Sequence, residues 1–248
     1  MLVSEVMLQQ TQAARVAPSY VSFLRRFPSV ESLAAARPDA VLRAWGNLGY
    51  NRRALNLWRA ARAVVDRGSF PRTVDGVREL PGVGPYTARA VAAFAFGVDA
   101  GAVDANVRRV LTRAMGLPPD ADVQELADRL VPRGRSGAWN QALFDLGAGV
   151  CRPRRPSCGD CPLGSRCAWA AGRRPAPARP RSAPPRFETT TRYARGRVVG
   201  VLRATDSASV GRLLRMTGLE RRRLESALRS LERDGLVERR GAQVSFPL

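Results

Sequence analysis

Apolar residues recur at intervals of three and four through most of the first 150 residues of the chain. This spacing puts apolar side chains on one face of an α-helix, so it predicts a helical fold for this part. The pattern is clearest in five segments: Val16–Phe27, Leu55–Val65, Ala88–Phe96, Val107–Met115 and Trp139–Gly147. No stretch here alternates convincingly for more than four residues, so we expect no β-sheet in this part.

The last 56 residues, 193–248, have a different pattern. Three helical segments, Arg197–Arg203, Val210–Met216 and Glu220–Asp234, are followed by two short strand patterns around a turn at Gly241. This order resembles a winged helix, in which the third helix commonly enters the DNA major groove. The arginines that would line that helix are Arg221, Arg222, Arg223 and Arg229. A winged helix that serves only for packing or protein contacts is the alternative.

The composition points to a polyanionic partner. Net charge is +20, from 41 basic and 21 acidic residues, and the resulting attraction to nucleic acid should fall steeply with salt. Ribosomal or membrane-surface binding would fit the same charge. Histidine is absent, which excludes a Ser-His-Asp triad, histidine-ligated zinc and imidazole acid–base catalysis. No secretion signal or membrane-spanning apolar run is visible, so we expect no membrane partner.

All four cysteines fall in one short run, Cys151-x6-Cys158-x2-Cys161-x5-Cys167. An all-thiolate shell suits an iron–sulfur cluster or a structural zinc. Paired disulfides are a third reading, which the missing secretion signal disfavours. Zinc sites usually combine two separated Cys-x2-Cys pairs, whereas this run has one pair with longer arms, and the spacing therefore favours iron–sulfur.

A glycine hairpin precedes one of the helical patterns, in Leu80-Pro-Gly-Val-Gly-Pro-Tyr-Thr-Ala-Arg. Backbone N–H groups of such a turn, at the start of a helix, can hold a phosphate without any side chain. Gly82, Val83 and Gly84 are therefore candidate contacts to a DNA backbone. Asp104 stands just before the next apolar-periodic helix. It can be a helix N-cap or a carboxylate that faces a cleft, and the two roles are compatible.

The glycine hairpin, an aspartate twenty residues after Gly84 and then the four-cysteine loop occur in an order that resembles the helix-hairpin-helix DNA glycosylase superfamily. The resemblance implies an all-α, two-lobed fold in which Asp104 is catalytic and the cysteines bind a [4Fe–4S] cluster. Bifunctional members carry a Schiff-base lysine where this chain has Tyr86. A phenol cannot form an imine, so we expect no lyase activity.

The run Ser4-Glu-Val-Met-Leu-Gln-Gln-Thr11 resembles the MutY-type adenine DNA glycosylases within that superfamily. The resemblance implies that Glu5 is the general acid, that Asp104 stabilises an oxocarbenium-like sugar, and that adenine leaves from a mispair with 8-oxoguanine or guanine. It also implies a monomer that binds double-stranded DNA in the bacterial cytoplasm, at the nucleoid. The implied DNA contacts are Gln10, Thr11, Tyr50, Gly82, Val83, Gly84, Asn106 and Gln141, with Tyr50 as the wedge into the duplex and Gln141 at the flipped adenine.

These motifs together predict a helical glycosylase core at 1–150 with a helix-hairpin-helix at about 78–96, and a cluster loop at 151–167. A linker rich in proline and arginine, 168–192, then leads to the winged-helix-like α+β module at 193–248. Proline keeps such a linker extended.

The chain departs from the MutY pattern at both ends. It begins four residues before Glu5, without the helical segment that precedes this glutamate in MutY-type enzymes. We expect either a start site assigned too late or a protein that lacks part of its pocket and is unstable or weakly active. The C-terminus has no Nudix-like domain, so the 8-oxoguanine preference rests on the N-terminal motif. The alternatives are a thymine-mismatch glycosylase and a non-catalytic iron–sulfur DNA-binding protein.

Overall fold

A computed structural model of the protein describes residues 1–173 and 185–248. The first 150 residues form short α-helices joined by turns, and no strand occurs among them. The helices are α1 (Leu2–Leu8), α2 (Ala13–Arg26), α3 (Val30–Ala34), α4 (Pro38–Ala44), α5 (Arg52–Arg67), α6 (Val74–Arg78), α7 (Pro85–Phe96), α8 (Ala105–Met115), α9 (Gln124–Leu130) and α10 (Ser136–Asp145). A π-helical turn, Leu146–Val150, continues α10. The predicted helical core is confirmed.

The first N–H groups of a helix have no acceptor within the helix, and at several helix starts a side chain accepts from them instead. Ser29 and Ser32 form a reciprocal capping box at α3. The Thr73 side chain accepts from the Gly76 N–H at α6, and the Asp104 side chain caps α8. Glycines in the left-handed conformation end α5, α7 and α8. Glycine adopts this conformation easily because it has no Cβ that would clash with the backbone.

The chain forms two compact units. The first contains Met1–Glu5, Pro71–Glu79 and Val83–Arg181. In it α6 packs on α7, and α10 packs on α7 and α8. The buried cluster around α8, α9 and α10 consists of Val107, Val110, Leu111, Val123, Ala127 and Leu143.

The second unit contains Val6–Phe70, Leu80–Gly82 and Ser182–Leu248. Helix α5 packs against α3 and α4, and Trp45 and Phe23 are buried with their rings edge to face at 6.1 Å. Such aromatic pairs gain about 0.5–1.5 kcal/mol beyond the burial of their area. The C-terminal residues belong to this same unit, although the sequence predicted a separate module.

The C-terminal residues fold as α11 (Thr191–Ala204), β1 (Ser207–Ser209), α12 (Val210–Thr217), α13 (Arg221–Arg233), β2 (Glu238–Arg240) and β3 (Gln243–Ser245). The sheet has the order β1-β3-β2, with Val244 paired to Ala208 on one side and to Arg239 on the other. Three helices and a hairpin match the predicted α+β class. The sequence pattern missed β1, which is too short to show alternation, and it placed the start of α11 six residues too late.

The predicted linker, 168–192, includes packed residues at both ends. The Ala168 N–H donates to the Ala114 carbonyl at 3.0 Å, and the Trp169 N–H donates to the Arg113 carbonyl at the same distance. At the other end α11 already begins at Thr191. Residues 174–184 of the predicted linker lie outside the described residues.

Within the described ranges, every helix is too short or too polar to cross a lipid bilayer.

Candidate active site

Glu5 and Tyr86 form the first part of the candidate site. Glu5 lies on α1, and Tyr86 lies in the first turn of α7, directly after Pro85. The Tyr86 hydroxyl donates a hydrogen bond to the Glu5 carboxylate. Burial raises the pKa of Glu5, and the bond from Tyr86 offsets part of that rise. Desolvation disfavours the charged form of a carboxyl group, so Glu5 retains a proton at higher pH than an exposed glutamate does.

Asp104 acts on the same phenol. Burial raises the pKa of Tyr86 well above its usual range, and the negative charges of Glu5 and Asp104 raise it further. Both carboxyl groups therefore lie within electrostatic reach of one hydroxyl. The structure thus brings together the three residues that the sequence named as catalytic; their roles in a reaction stay a prediction.

Asp104 is the N-cap of α8. Its Oδ1 accepts from the backbone N–H groups of Asn106 and Val107 at 2.8 and 2.7 Å, and its Oδ2 accepts from the Asn106 side-chain amide at 3.2 Å. The N-cap interpretation is confirmed, and it fixes the side chain beside Tyr86.

A chain of hydrogen bonds leads from Asp104 to the cysteine loop. Arg109 donates to the Asn106 side-chain carbonyl at 2.9 Å, to the Gly147 carbonyl at 2.7 Å and to the Cys151 carbonyl at 2.8 Å. Gly147, in the π-helical turn, allows α8 and this turn to approach so closely. Any other residue there would place its Cβ 2.8 Å from the Asn106 Cβ. Sequence reasoning missed Arg109, since one arginine does not stand out among so many.

The glycine hairpin lies between α6 and α7. Gly82 has φ +78°, and a Cβ there would lie 2.5 Å from the Asn56 Cβ, so only glycine fits this turn. Gly84 caps α7 in an extended conformation without any side-chain hydrogen bond, and Pro85 follows as the first helical residue. The Val83 side chain is buried. A backbone-only helix start of this kind can bind a phosphate group, and DNA binding by the three hairpin residues stays a prediction.

Two exposed loops of the second unit carry Gln10 and Tyr50. Both residues have positive φ, 57° for Gln10 and 46° for Tyr50, a conformation that costs a non-glycine residue about 1–2 kcal/mol. Tyr50 keeps 40% of its surface exposed. Backbone strain at exposed polar or aromatic residues marks a surface that the surrounding structure holds in place.

Arg53, on α5, holds these two loops. Its guanidinium donates to carbonyls on one side, Val6 at 2.7 Å and Met7 at 3.0 Å, and to the Thr11 hydroxyl at 3.2 Å. The same group donates to the carbonyl of Gly49 at 3.3 Å, next to Tyr50. Burial lowers the pKa of Arg53. This half-buried cation therefore fixes the backbone that presents Gln10, Thr11 and Tyr50, and nothing in the sequence had singled it out.

Gln141 lies on the exposed side of α10. Its amide donates to the Asp145 carboxylate at 2.9 Å, one helical turn away. The Gln141 side chain stays exposed in this pair. A contact between Gln141 and a flipped adenine stays a prediction. Asn106, the remaining DNA candidate, has its side chain occupied by Asp104 and Arg109.

The four cysteines line one cavity in the first unit, together with Arg113, Trp169 and loop residues. All four thiols are free, so none of them is paired in a disulfide in this structure. An all-thiolate donor set around one cavity suits a structural zinc or an iron–sulfur cluster.

Arg113 connects α8 to this cavity. Its guanidinium lies 4.4 Å from the Trp169 ring centroid and 3.5 Å from the Cys151 sulfur, and it donates to the Pro153 carbonyl at 2.7 Å.

Comparisons with known proteins agree with this geometry. Residues 3–133 match the family profile described as HhH-GPD superfamily base excision DNA repair protein. The adenine DNA glycosylase of Mycolicibacterium smegmatis is 42% identical over 245 residues, which cover 96% of this chain and 83% of that protein. The human adenine DNA glycosylase is 45% identical over 175 residues, which cover 66% of this chain and 32% of that protein.

Solved structures give the same family. A thermostable thymine-DNA glycosylase superimposes with a TM-score of 0.65 and 33% identity, over 69% of this chain and 83% of that one. Endonuclease III, in a trapped covalent intermediate with DNA, gives a TM-score of 0.62 and 27% identity over 69% of this chain and 84% of that one.

Proposed function

The chain belongs to the HhH-GPD superfamily of base excision DNA repair proteins, and from that premise we propose that it is an adenine DNA glycosylase. It hydrolyses the N-glycosidic bond of adenine mispaired with 8-oxoguanine or guanine in double-stranded DNA. The observation that carries the proposal is that Glu5 bonds to the Tyr86 hydroxyl and that Asp104 lies within electrostatic reach of the same group.

The two carboxyl groups have different environments, and this difference suits two roles. Glu5 has a raised pKa, so it gives its proton to a ring nitrogen of adenine, and the electrons of the C1′–N9 bond leave with the base. Asp104 sits at a helix start with three hydrogen-bond donors and faces the positive charge that develops on the sugar. Water then attacks C1′ and passes its proton to a carboxylate.

The reaction stops at the abasic site. A lyase step needs an amine that forms an imine with the sugar C1′. The chain contains no lysine, and Tyr86 has its hydroxyl committed to Glu5. The expected product is therefore an intact strand with one base missing.

DNA binding uses the glycine hairpin and the two strained loops. Gly82, Val83 and Gly84 grip the backbone of one strand, and Tyr50 enters the duplex while the target adenine leaves the stack. Gln10 and Thr11 contact the opposite strand, and Asn106 and Gln141 contact the extruded nucleotide. The protein acts as a monomer.

The four cysteines, Cys151, Cys158, Cys161 and Cys167, hold a [4Fe–4S] cluster. All four line one cavity, and an all-thiolate donor set suits an iron–sulfur cluster. When bound, the cluster supplies a four-point crosslink of the loop and a redox-active centre. Matched amounts of iron and acid-labile sulfide in the purified protein would support this assignment, and bound zinc would contradict it.

Two arguments give the proposed location. The M. smegmatis relative matches 96% of this chain and comes from a bacterium, and the proposed substrate is chromosomal DNA. We therefore place the protein in the bacterial cytoplasm, at the nucleoid.

A thymine-mismatch glycosylase is the second candidate, since a thymine-DNA glycosylase matches the fold at 33% identity. Purified protein is incubated with duplexes that contain A:8-oxoguanine, A:G, T:G or A:T, and alkali then cleaves abasic sites. We expect strand breaks at the two adenine mispairs only, and only after alkali. Breaks at T:G would favour the second candidate, and breaks without alkali would contradict the absence of a lyase step.

Glu5→Gln and Asp104→Asn serve as matched variants in this assay, because the first removes the proton that Glu5 donates and the second removes the charge of Asp104, each with little change of shape. Both should abolish the breaks. Tight binding by the unsubstituted protein without any breaks would identify a non-catalytic DNA-binding protein instead.

A further inference from the structure

Helix α11 of the C-terminal module contacts the loop that carries Tyr50. At one end of the helix, Arg192 lies with its guanidinium carbon 4.4 Å from the centroid of the Tyr50 ring, and its Nη1 donates to the Tyr50 hydroxyl. Arg53 lies 5.3 Å from the same ring centroid. Two cations from different parts of the sequence therefore fix the ring, and planar guanidinium groups are suited to this stacking.

At the other end of α11, Arg203 holds the residues on both sides of Tyr50. Its guanidinium donates to the side-chain carbonyl of Asn47 at 3.4 Å and to that of Asn51 at 2.6 Å. It also donates to the Leu42 carbonyl at 3.3 Å. Burial lowers the pKa of Arg203 to about 10, so its hydrogen bonds are made where water competes poorly.

A reciprocal contact anchors the helix itself. Arg43, on α4, donates to the carbonyls of Leu202, Arg203 and Thr205 at 3.1, 2.8 and 3.1 Å. These are the free carbonyls at the C-terminal end of α11, where a cation interacts favourably with the helix dipole. Helix α11 is thus attached to this loop at two points and to α4 at its end.

We propose that helix α11 positions Tyr50 for DNA entry, and that this is the role of the C-terminal module in the repair reaction. The inference rests on the proposed function, in which Tyr50 is the wedge. Tyr50 has positive φ in an exposed loop, so it needs outside contacts to stay in one conformation. Arg192 and Arg203 supply them, and the ring keeps 40% of its surface free for a base step.

The two relatives differ in how far their similarity to this chain extends. The M. smegmatis similarity covers 96% of the chain and so extends through the module, whereas the human similarity covers 66%. The contact is a positioning device because Arg192 acts through Tyr50. A wedge held in its bound conformation loses less entropy on binding.

The test compares Arg192→Ala and Arg192→Lys with Arg197→Ala as a matched control. Arg197 is an exposed arginine on the same helix, and it donates to the Met216 carbonyl within the module. Dissociation constants for an A:8-oxoguanine duplex are measured in a Glu5→Gln background, so that the DNA stays uncut. Equal thermal midpoints show that each variant is folded.

We expect Arg192→Ala to weaken binding about tenfold, equivalent to about 1.4 kcal/mol. Arg192→Lys should recover little of that loss, because an ammonium lacks the planar stack. Arg197→Ala should change binding less than about twofold. In a Tyr50→Ala background, Arg192→Ala should add almost nothing, since the two residues act as one unit.

A second readout follows the wedge directly. With 2-aminopurine in place of the target adenine, fluorescence at saturating protein reports how fully the base leaves the stack. Arg192→Ala should lower this plateau, whereas a loss of folded protein would change only the concentration needed to reach it.

Provided that Tyr50→Ala weakens binding, any of three results would overturn the inference. The first is that the losses for Arg192→Ala and Tyr50→Ala add. The second is that Arg192→Lys restores full affinity while Arg192→Ala lowers the salt dependence of binding, which would identify a simple phosphate contact. The third is that Arg192→Ala binds DNA more tightly, which would identify an inhibitory contact. If Tyr50→Ala binds like the unsubstituted protein, the wedge in the proposed function fails instead, and the inference fails with it.

Discussion

Asp104 and Cys151 are connected by two side chains. The Asn106 amide donates to the Asp104 carboxylate at 3.2 Å, Arg109 donates to Asn106 at 2.9 Å, and the same guanidinium reaches the Cys151 carbonyl at 2.8 Å. The position of a candidate catalytic carboxylate therefore depends on the order of the cysteine loop. A cluster held by that loop, as proposed above, would therefore help to fix Asp104 in place.

Arg109→Gln should disturb both ends of this connection. It removes hydrogen bonds from a charged group to two carbonyls and one amide, each of which contributes about 1.5–3 kcal/mol. We expect the free energy of unfolding to fall by about 2 kcal/mol or more, with lower iron content and slower base removal. Chemical denaturation, iron analysis and single-turnover kinetics measure these. Arg108→Gln is the control, because Arg108 bonds to the Ala121 carbonyl instead. Unchanged iron and rate would contradict the link.

Asp104 has two roles, and two substitutions separate them. Asp104→Asn keeps a good N-cap and loses the charge, so glycosylase activity should disappear while stability changes by less than about 0.5 kcal/mol. Asp104→Ala loses the cap as well and should cost about 1 kcal/mol more in unfolding free energy. Thermal or urea unfolding measures the difference. Equal stability of the two variants would show that the cap contributes nothing.

Glu5 should lower the stability of the protein at neutral pH. Its pKa in the folded state is raised, so between the ordinary glutamate value, about 4.3, and that raised value the folded state binds more protons than the unfolded state. Stability then falls as pH rises through this window. Glu5→Gln should remove the dependence and be the more stable protein at pH 8, with no advantage near pH 4. Urea unfolding at both pH values checks the sign.

Glu5→Gln should also remove activity, by about 10²–10⁴-fold if the proton donor alone is lost. The unsubstituted enzyme should lose activity on the alkaline side as Glu5 gives up its proton. A rate that does not depend on pH up to the alkaline range would exclude Glu5 as the acid.

Tyr86→Phe tests the hydrogen bond to Glu5. The Tyr86 hydroxyl lowers the pKa of Glu5, so its removal should raise that pKa further and move the alkaline limb of the single-turnover rate to higher pH. Phenylalanine keeps the ring, which packs near Phe144 with centroids 6.2 Å apart. A limb that stays in place or moves down would contradict the bond.

Arg53 gives a prediction for the second unit. Arg53→Met keeps the apolar stem and removes the guanidinium that donates to the carbonyls of Val6 and Met7. We expect a loss of about 1–3 kcal/mol in unfolding free energy, the cost of leaving a buried polar group without its partner, and weaker DNA binding where the protein still folds. Arg62→Met is the control, because this exposed arginine on the same helix stacks on Trp58. Similar losses for both would refute a specific role.

The sequence predicted the local chemistry well for identifiable reasons. Helical periodicity depends on neighbours three and four residues apart, so the helices around Val107 and Leu55 were visible in the chain itself. Asp104 before an apolar run predicted a cap, which the structure confirms. The cysteine spacing, the hairpin glycines and the motif around Glu5 are equally short-range, and they carried the family assignment that the comparisons confirm.

The arginines show where sequence reasoning stopped. Arg53, Arg109 and Arg203 organise the candidate site and its surroundings, yet each looks like any other of the 41 basic residues. Their partners are mostly backbone carbonyls distant in sequence, such as the Cys151 carbonyl for Arg109. Every residue has a backbone carbonyl, so the residue types in the sequence do not indicate which carbonyl accepts such a bond. The same reason hid the attachment of the C-terminal helix to α4 through Arg43.

By itself the sequence determined the helical class, the two carboxylic acids, the glycine turn and the four thiols, because each depends on residue type and on spacing within a few helical turns. Only the tertiary structure decided that Glu5 bonds to the Tyr86 hydroxyl within electrostatic reach of Asp104, and that α11 holds Tyr50. Glu5 and Asp104 are about a hundred residues apart in the chain, and Tyr50 and Arg192 are farther apart still. Such relations arise when burial removes water and leaves each polar group with a partner that folding alone can bring to it.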